Sequence, residues 1–163
     1  MAADFYLHLE GIKGESTDSK HPAWIECTSV NWSITQPKSA TASTSGGHTA
    51  ERADLSEITI SKLVDLASPM LAQLCACGKT ISKARIEMQR ADGQGEPIKY
   101  FEVELENVLI AHIAPAFAGG GFPGESLGLK FSKVRWKYTQ QKIGGGSSGN
   151  TAGGWDLATN RIA

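Results

Sequence analysis

Two long runs of this chain carry the period-two alternation of a β-strand and then switch phase. Between residues 98 and 113, Phe101, Val103 and Leu105 put apolar groups at odd positions, whereas Val108 and Ile110 put them at even ones. Between residues 127 and 138 the same happens: Leu127, Leu129 and Phe131 are odd, Val134, Trp136 and Tyr138 even. Successive side chains of a strand point to opposite faces, so one extra residue re-aims every side chain after it. A β-bulge does this and bends the strand that carries it. Two such switches predict strongly bent strands, as in a sheet that curls into a barrel.

Shorter runs add strands. Phe5, Leu7 and Leu9 alternate with Tyr6, His8 and Glu10, and Ile58 and Ile60 do the same further on. Ala84, Ile86 and Met88 alternate with Arg85, Glu87 and Gln89, ahead of a turn at Ala91-Asp92-Gly93. The run from 25 to 35 has Val30, Trp32 and Ile34 on one face and Ser29, Asn31 and Ser33 on the other, a polar face without charge. One helix is predicted, with Ser68 as N-cap, Pro69 at the first position, an apolar stripe of Met70, Leu71 and Leu74, and a stop at Gly78. At two to three turns it is too short to stand alone and must pack on a sheet. The 163 residues suit one domain, 1–163. Within it, 37–54 is a long Ser/Thr/Ala/Gly loop of the kind that tends to be functional. The Gly-rich stretch 144–154 reads as flexible, with Trp155-Asp156-Leu157 beyond it suited to docking again.

Several chemistries are disfavoured. A net charge of −1 without a basic stripe argues against nucleic acid. No apolar run approaches bilayer length, so no membrane insertion is expected. Met1-Ala2-Ala3-Asp4 opens no signal-peptide pattern, so export would use a route that reads no cleaved N-terminal signal. Cys27, Cys75 and Cys77 read as reduced thiols. His8, His21, His48 and His112 form no close pair with ligand spacing, and no glycine loop is followed by Lys-Ser/Thr, so neither a metal nor a nucleotide cofactor is expected. Gly124-Glu125-Ser126-Leu127-Gly128 matches a hydrolase nucleophile elbow, but a Gly/Pro loop precedes it and a strand follows, the reverse of what the elbow needs. Catalysis by Ser126 is the minority reading, and Glu125 and Ser126 are expected to begin a strand. Asp65, three residues before Ser68, holds the start of the helix or faces solvent. Trp32, Phe131, Trp136 and Tyr138 are expected in the core, Trp24 and Trp155 at an interface.

The loop Gly11-Ile12-Lys13-Gly14-Glu15-Ser16-Thr17-Asp18 resembles phosphate-cradling equipment. With no helix pattern behind it, it reads as a hydrogen-bonded corner between strands. Glu15, Ser16, Asp18, Trp24 and Trp155 are candidates for a rim or subunit contact. A curled sheet with a polar, uncharged face and a projecting loop suits assembly more than chemistry.

These pieces resemble the Hcp (haemolysin-coregulated protein) family, the inner tube of bacterial type VI secretion systems. The matching residues are Gly11-Ile12-Lys13-Gly14-Glu15-Ser16 with Asp18 and His21, Ile25, Val30-Asn31-Trp32, Ile60-Ser61-Lys62, Val64-Asp65 and Ala67-Ser68-Pro69. Leu71, Cys75 and Gly78 follow, then Glu125, Leu127, Leu129, Phe131, Tyr138-Thr139-Gln140 and Gly154-Trp155-Asp156. They run in order along essentially the whole chain. The resemblance implies a two-sheet β-barrel with one short flanking α-helix, assembled into hexameric rings that stack into a tube. It implies that the 37–54 loop, with Lys38, Ser45, Gly46, Gly47 and His48, reaches a neighbouring ring. Asn31, with Ser29 and Ser33 on its face, would line the lumen and touch effectors. A single tube domain without a fused toxin is expected. So are sheath and spike proteins as partners, and a cytoplasmic location before firing followed by secretion outside the cell or into a target cell. The alternatives are a phage-type tail tube subunit and, from another class, a serine hydrolase using Ser126.

Overall fold

The computed structural model of the protein describes residues 3–37 and 51–163. The strands are β1 (Ala3–Leu9), β2 (Ile25–Cys27), β3 (Ser29–Asn31), β4 (Ile34–Thr35), β5 (Asp54–Leu55) and β6 (Ile58–Leu63). After helix α1 (Ser68–Cys77) come β7 (Ile81–Ala91), β8 (Pro97–Ala116), β9 (Gly124–Lys130), β10 (Lys133–Gln141), β11 (Ser147–Asp156) and β12 (Arg161–Ile162). A first sheet runs in the order β12-β11-β10-β8-β7-β1-β2. A second runs β3-β6-β9-β8, and β4 and β5 pair separately. All the pairings are antiparallel.

Strand β8 belongs to both sheets, and the phase switch marks where it passes between them. Residues 101–106 pair with β10, whereas residues 109–116 pair with β9. Asn107 stands at the corner with φ +53. This is a left-handed backbone that asparagine tolerates better than most residues. The second switch is a strand end rather than a bulge. The run from 127 to 138 divides into β9 and β10, in different sheets, and Phe131-Ser132 turns between them. The two corners are tied together: the Ser132 amide donates to the Glu106 carbonyl (3.1 Å) and the Asn107 side-chain amide to the Ser132 hydroxyl (2.9 Å).

The core lies between the sheets. Leu7, Leu9, Ile25, Ile86, Val103 and Leu105 come from the first, Ile58, Ile60, Val108, Ile110, Leu127 and Leu129 from the second. Helix α1 adds Leu71 and stops at Gly78, whose φ of +67 favours glycine and whose amide donates to the Leu74 carbonyl.

Several expectations change. The two sheets do not close into a barrel: β2 and β3 are separated by Thr28, and among the described residues β3 and residues 109–116 of β8 each have a strand on one side only. The run from 25 to 35 is broken into β2, β3 and β4 for the same reason. Most of 144–154 is strand β11, ordered by its ladder with β10. Ser68 is not the N-cap, since Ala67 precedes the helix in helical geometry. No side chain caps the helix, and Asp65 instead braces the turn before it by accepting the Ala67 amide at Oδ1 (3.0 Å), while Met70 and Tyr138 face solvent rather than core.

Candidate functional site

The outward face of the second sheet follows from its register. Ser29 stands opposite Ser61, Ser61 opposite Ser126, and Ser126 opposite Ala114. Two residues along, Asn31, Thr59, Gly128 and His112 form a second row across the same four strands. The row between them is Val30, Ile60, Leu127 and Ile113, and it turns into the core. Alternation thus builds a broad surface of hydroxyls, an amide and small groups.

Among the described residues one ion pair lies on this face, between His112 Nδ1 and Glu57 Oε1 (3.0 Å). Gly128 makes room for it, because a Cβ there would collide with the His112 ring and crowd Glu57. His112 Nε2 also lies 3.4 Å from Ser126 Oγ, giving a serine–histidine–carboxylate series in outline. Among the described residues the rest of a hydrolase site does not assemble. The serine contact is long for a nucleophile and its base, and the imidazole is 39% exposed. The peptide units around Ser126 are in ladders with β6 and β8, so no pair of free amides faces a developing oxyanion. Ser126 lies within strand β9 rather than at a strand-to-helix turn, and Glu125 and Ser126 stand at the start of that strand as the sequence implied.

The outward face of the first sheet is ionic instead. Arg85 bridges Glu102 (3.3 Å) and Glu104 (3.0 Å), and Lys99 bridges Glu102 (2.7 Å) and Glu87 (3.1 Å). Burial would raise the Glu102 carboxyl, but Lys99 and Arg85 hold it below the usual range. Burial would likewise lower Lys99, and its bonds to Glu102 and Glu87 hold it high. Buried His21 joins this network to the Gly11–Asp18 loop: Nδ1 is 2.6 Å from Asp18 and Nε2 2.6 Å from Glu87. Its hydrogen bond lowers the Asp18 carboxyl. Tyr6 stacks on the ring at 4.3 Å, and burial, with the Asp18 charge, pushes its phenol up to about 12.

The loop is a corner, as its composition suggested. Gly14, Ser16 and Ala23 exchange backbone hydrogen bonds, Gly14 N–H donating to Ala23 O (2.7 Å) and Ser16 N–H to Trp24 O (3.0 Å). A Cβ on Gly14 would collide with the Trp24 backbone. The second buried charge cluster lies under α1. Lys62, 2% exposed, donates to Asp65 (2.9 Å) and lies 3.4 Å from Glu125, which accepts the Ser68 hydroxyl (2.6 Å).

Of the predicted site residues, Asn31 and Ser33 are exposed and Ser29 half-buried. Ser29 and Asn31 share the uncharged face, whereas Ser33 lies beyond β3, its amide donating to Ser56 Oγ (2.7 Å). Glu15 is exposed and accepts the Leu66 amide (3.1 Å). Ser16 is buried, its hydroxyl accepting the Asp18 amide (3.2 Å). Trp24 packs edge-on against His21 at 4.7 Å, and half-buried Trp155 lines a groove with Trp136. Lys38, Ser45, Gly46, Gly47 and His48 lie outside the described residues. The sequence reading missed Thr59, Ser61, Ser126, Gly128, His112 and Ala114 as companions of Asn31. Their signal was present as the polar alternates of Ile58 and Ile60, and of Leu127 and Leu129.

Such a fold defines a class: a two-sheet antiparallel β-protein with one helix, one largely neutral polar face, an ionic opposite face and open strand edges. Residues 6–138 match the family model described as "Type VI secretion system effector, Hcp". The chain is 27% identical to Protein hcp1 of Pseudomonas aeruginosa over 98% of each sequence. It superposes on a solved type six secretion system protein with TM-score 0.92 at 27% identity, covering 99% of this chain and 100% of that one. Against Hcp1 from Salmonella typhimurium the TM-score is 0.81 at 30% identity, with 100% of both chains covered. The chain belongs to the Hcp family of type VI secretion tube proteins.

Proposed function

We propose that the chain assembles into hexameric rings that stack into a tube, and that the uncharged face of the second sheet lines the bore and carries effectors. The observation that carries this reading is the pair of polar rows, Ser29-Ser61-Ser126-Ala114 and Asn31-Thr59-Gly128-His112. A bore that must hold and then release folded cargo is served by many weak, neutral contacts, since buried fixed charges demand a matched partner. The open edges support ring formation. Strand β3 at one edge and residues 109–116 of β8 at the other keep antiparallel alternation if the next copy continues the sheet.

The subunit waits in the cytoplasm, meets sheath and spike proteins there, and leaves for the exterior or a target cell without a cleaved signal. Its work is assembly and carriage rather than catalysis. If Ser126 were a nucleophile, Ser126→Ala would abolish any esterase activity of the purified protein; no change in the background rate is expected.

Negative-stain imaging and sedimentation at micromolar concentration test the assembly reading. Rings are expected, and a population of monomers only would remove it. Shortening the 37–54 loop should impair stacking and leave single rings intact; unchanged tube length would mean that the loop does other work.

A further inference from the structure

We propose that the loop between β8 and β9 of one copy, carrying Phe117 and Phe122, seats in the groove of a second copy walled by Trp136 and Trp155. This rests on the assembly reading and adds the contact by which one copy engages the next.

Phe122 is 87% exposed and Phe117 73% exposed, the largest apolar side chains that the subunit leaves in water at that end. Exposed Leu63 and Leu66 adjoin them, because the Val64 amide donates to Pro123 O (3.0 Å) and Leu63 pairs with Gly124. A patch of this kind on a soluble protein marks a place of contact. Gly119, Gly120 and Gly121 form the loop, and a Cβ at any of them would meet nothing within 4 Å, so the loop stands clear of its own subunit.

The groove has a cavity of about 540 Å³ lined by Ile34, Leu55, Trp136 and Trp155, with Arg52 at its side. An apolar cavity of about 150 Å³ holds one benzene ring, so there is space for both phenyl groups.

Knob and groove cannot meet within one chain. The groove adjoins the β4–β5 pair, which leads into β6 at Ile58, whereas the knob adjoins the far end of β6 at Leu63. Five residue steps of strand separate them by about 17 Å. The groove carries both signs, Glu51 and Arg52, and Arg52, which donates to the Leu157 carbonyl (2.8 Å), is the group there that can face the exposed Glu15 and Glu26 beside Phe122. Two unlike surfaces of one chain that fit each other make a head-to-tail contact, the kind that yields rings or filaments.

The test is a disulfide trap. Phe122→Cys and Ile34→Cys are combined in a chain also carrying Cys75→Ala and Cys77→Ser. Cys27→Ala is added as well, because the half-buried Cys27 thiol lines the same pocket as Phe122 and would compete for the new cysteine. Mild oxidation should give a ladder of linked copies on a non-reducing gel that needs both new cysteines. A parent chain that assembles while the double variant gives no ladder would overturn the contact and leave the ring reading standing. A ladder from Phe122→Cys alone would also overturn it, since knob would then meet knob. A parent chain that stays monomeric would remove the assembly reading and this contact together. Phe117→Ser with Phe122→Ser should weaken self-association at least about tenfold, from the lost burial of two phenyl groups, without lowering the unfolding midpoint of the monomer.

Discussion

The two sheets share a strand and a core yet present opposite outer faces. The first carries a mesh of carboxylates and cations, Arg85, Lys99, Glu87, Glu102 and Glu104, crossing from β7 to β8. The second carries serines, a threonine, an asparagine and a glycine in cross-strand rows. Among the described residues one ion pair, His112 with Glu57, lies on that face, and the sheet's buried cluster of charge, Lys62 with Asp65 and Glu125, is turned inward beneath α1. A charged face suits water or a charged partner, since like charges reject the wrong one. A neutral polar face can meet many surfaces weakly. The contrast is one of charge: the first face is a mesh of ion pairs, whereas among the described ion pairs the second face carries the single pair His112–Glu57.

The largest effect that would sharpen this contrast comes from the hidden charge. Lys62→Met should destabilise the subunit by about 3–5 kcal/mol, because Asp65 and Glu125 would be left buried without their cation. Denaturant unfolding reads this, and a loss below about 1 kcal/mol would mean that the cluster is already wet. Second, Ser61→Glu should cut effector retention about tenfold while leaving the unfolding midpoint nearly unchanged. Equal retention by the charged variant in a pull-down would break the link between neutrality and carriage. A bulky charge at Asn31 should act likewise on cargo; loss of rings instead would put Asn31 at a subunit interface.

Acid should act on the first sheet through Asp18. The Asp18 carboxyl lies below its ordinary value of 3.8 in the folded protein because His21 bonds to it. A depressed carboxyl contributes stability that is present above the unfolded value and lost as pH falls through the folded one. Stability should therefore decline below about pH 3.8, and Asp18→Asn should flatten that part of the profile. An unchanged slope in the variant would detach His21 from the loop's stability. The smallest effect is expected from Arg85→Ala, about 0.2–1 kcal/mol, since that ion pair is half-exposed.

Much of this was readable in the chain because alternation is local. The phase switches at residues 106–108 and 131–133 located the corners, although their meaning differed: Asn107 and Ser132 mark passage between sheets, which a single-strand bulge does not require. Strand β11 was hidden because Ser147, Gly149, Gly153 and Gly154 carry no apolar pattern, and its order comes from β10. The bond between His21 and Glu87 spans 66 positions, and nothing near His21 signals it. The uncharged face was visible at β3 and invisible as a surface, because its rows need the register of four strands.

Cryo-electron microscopy of the assembled protein tests the central claim most directly. The expected density is a hexameric ring with Ser61, Thr59 and Asn31 facing the bore and Arg85 and Glu104 facing outward. A ring with the ionic face of the first sheet lining the bore would contradict it.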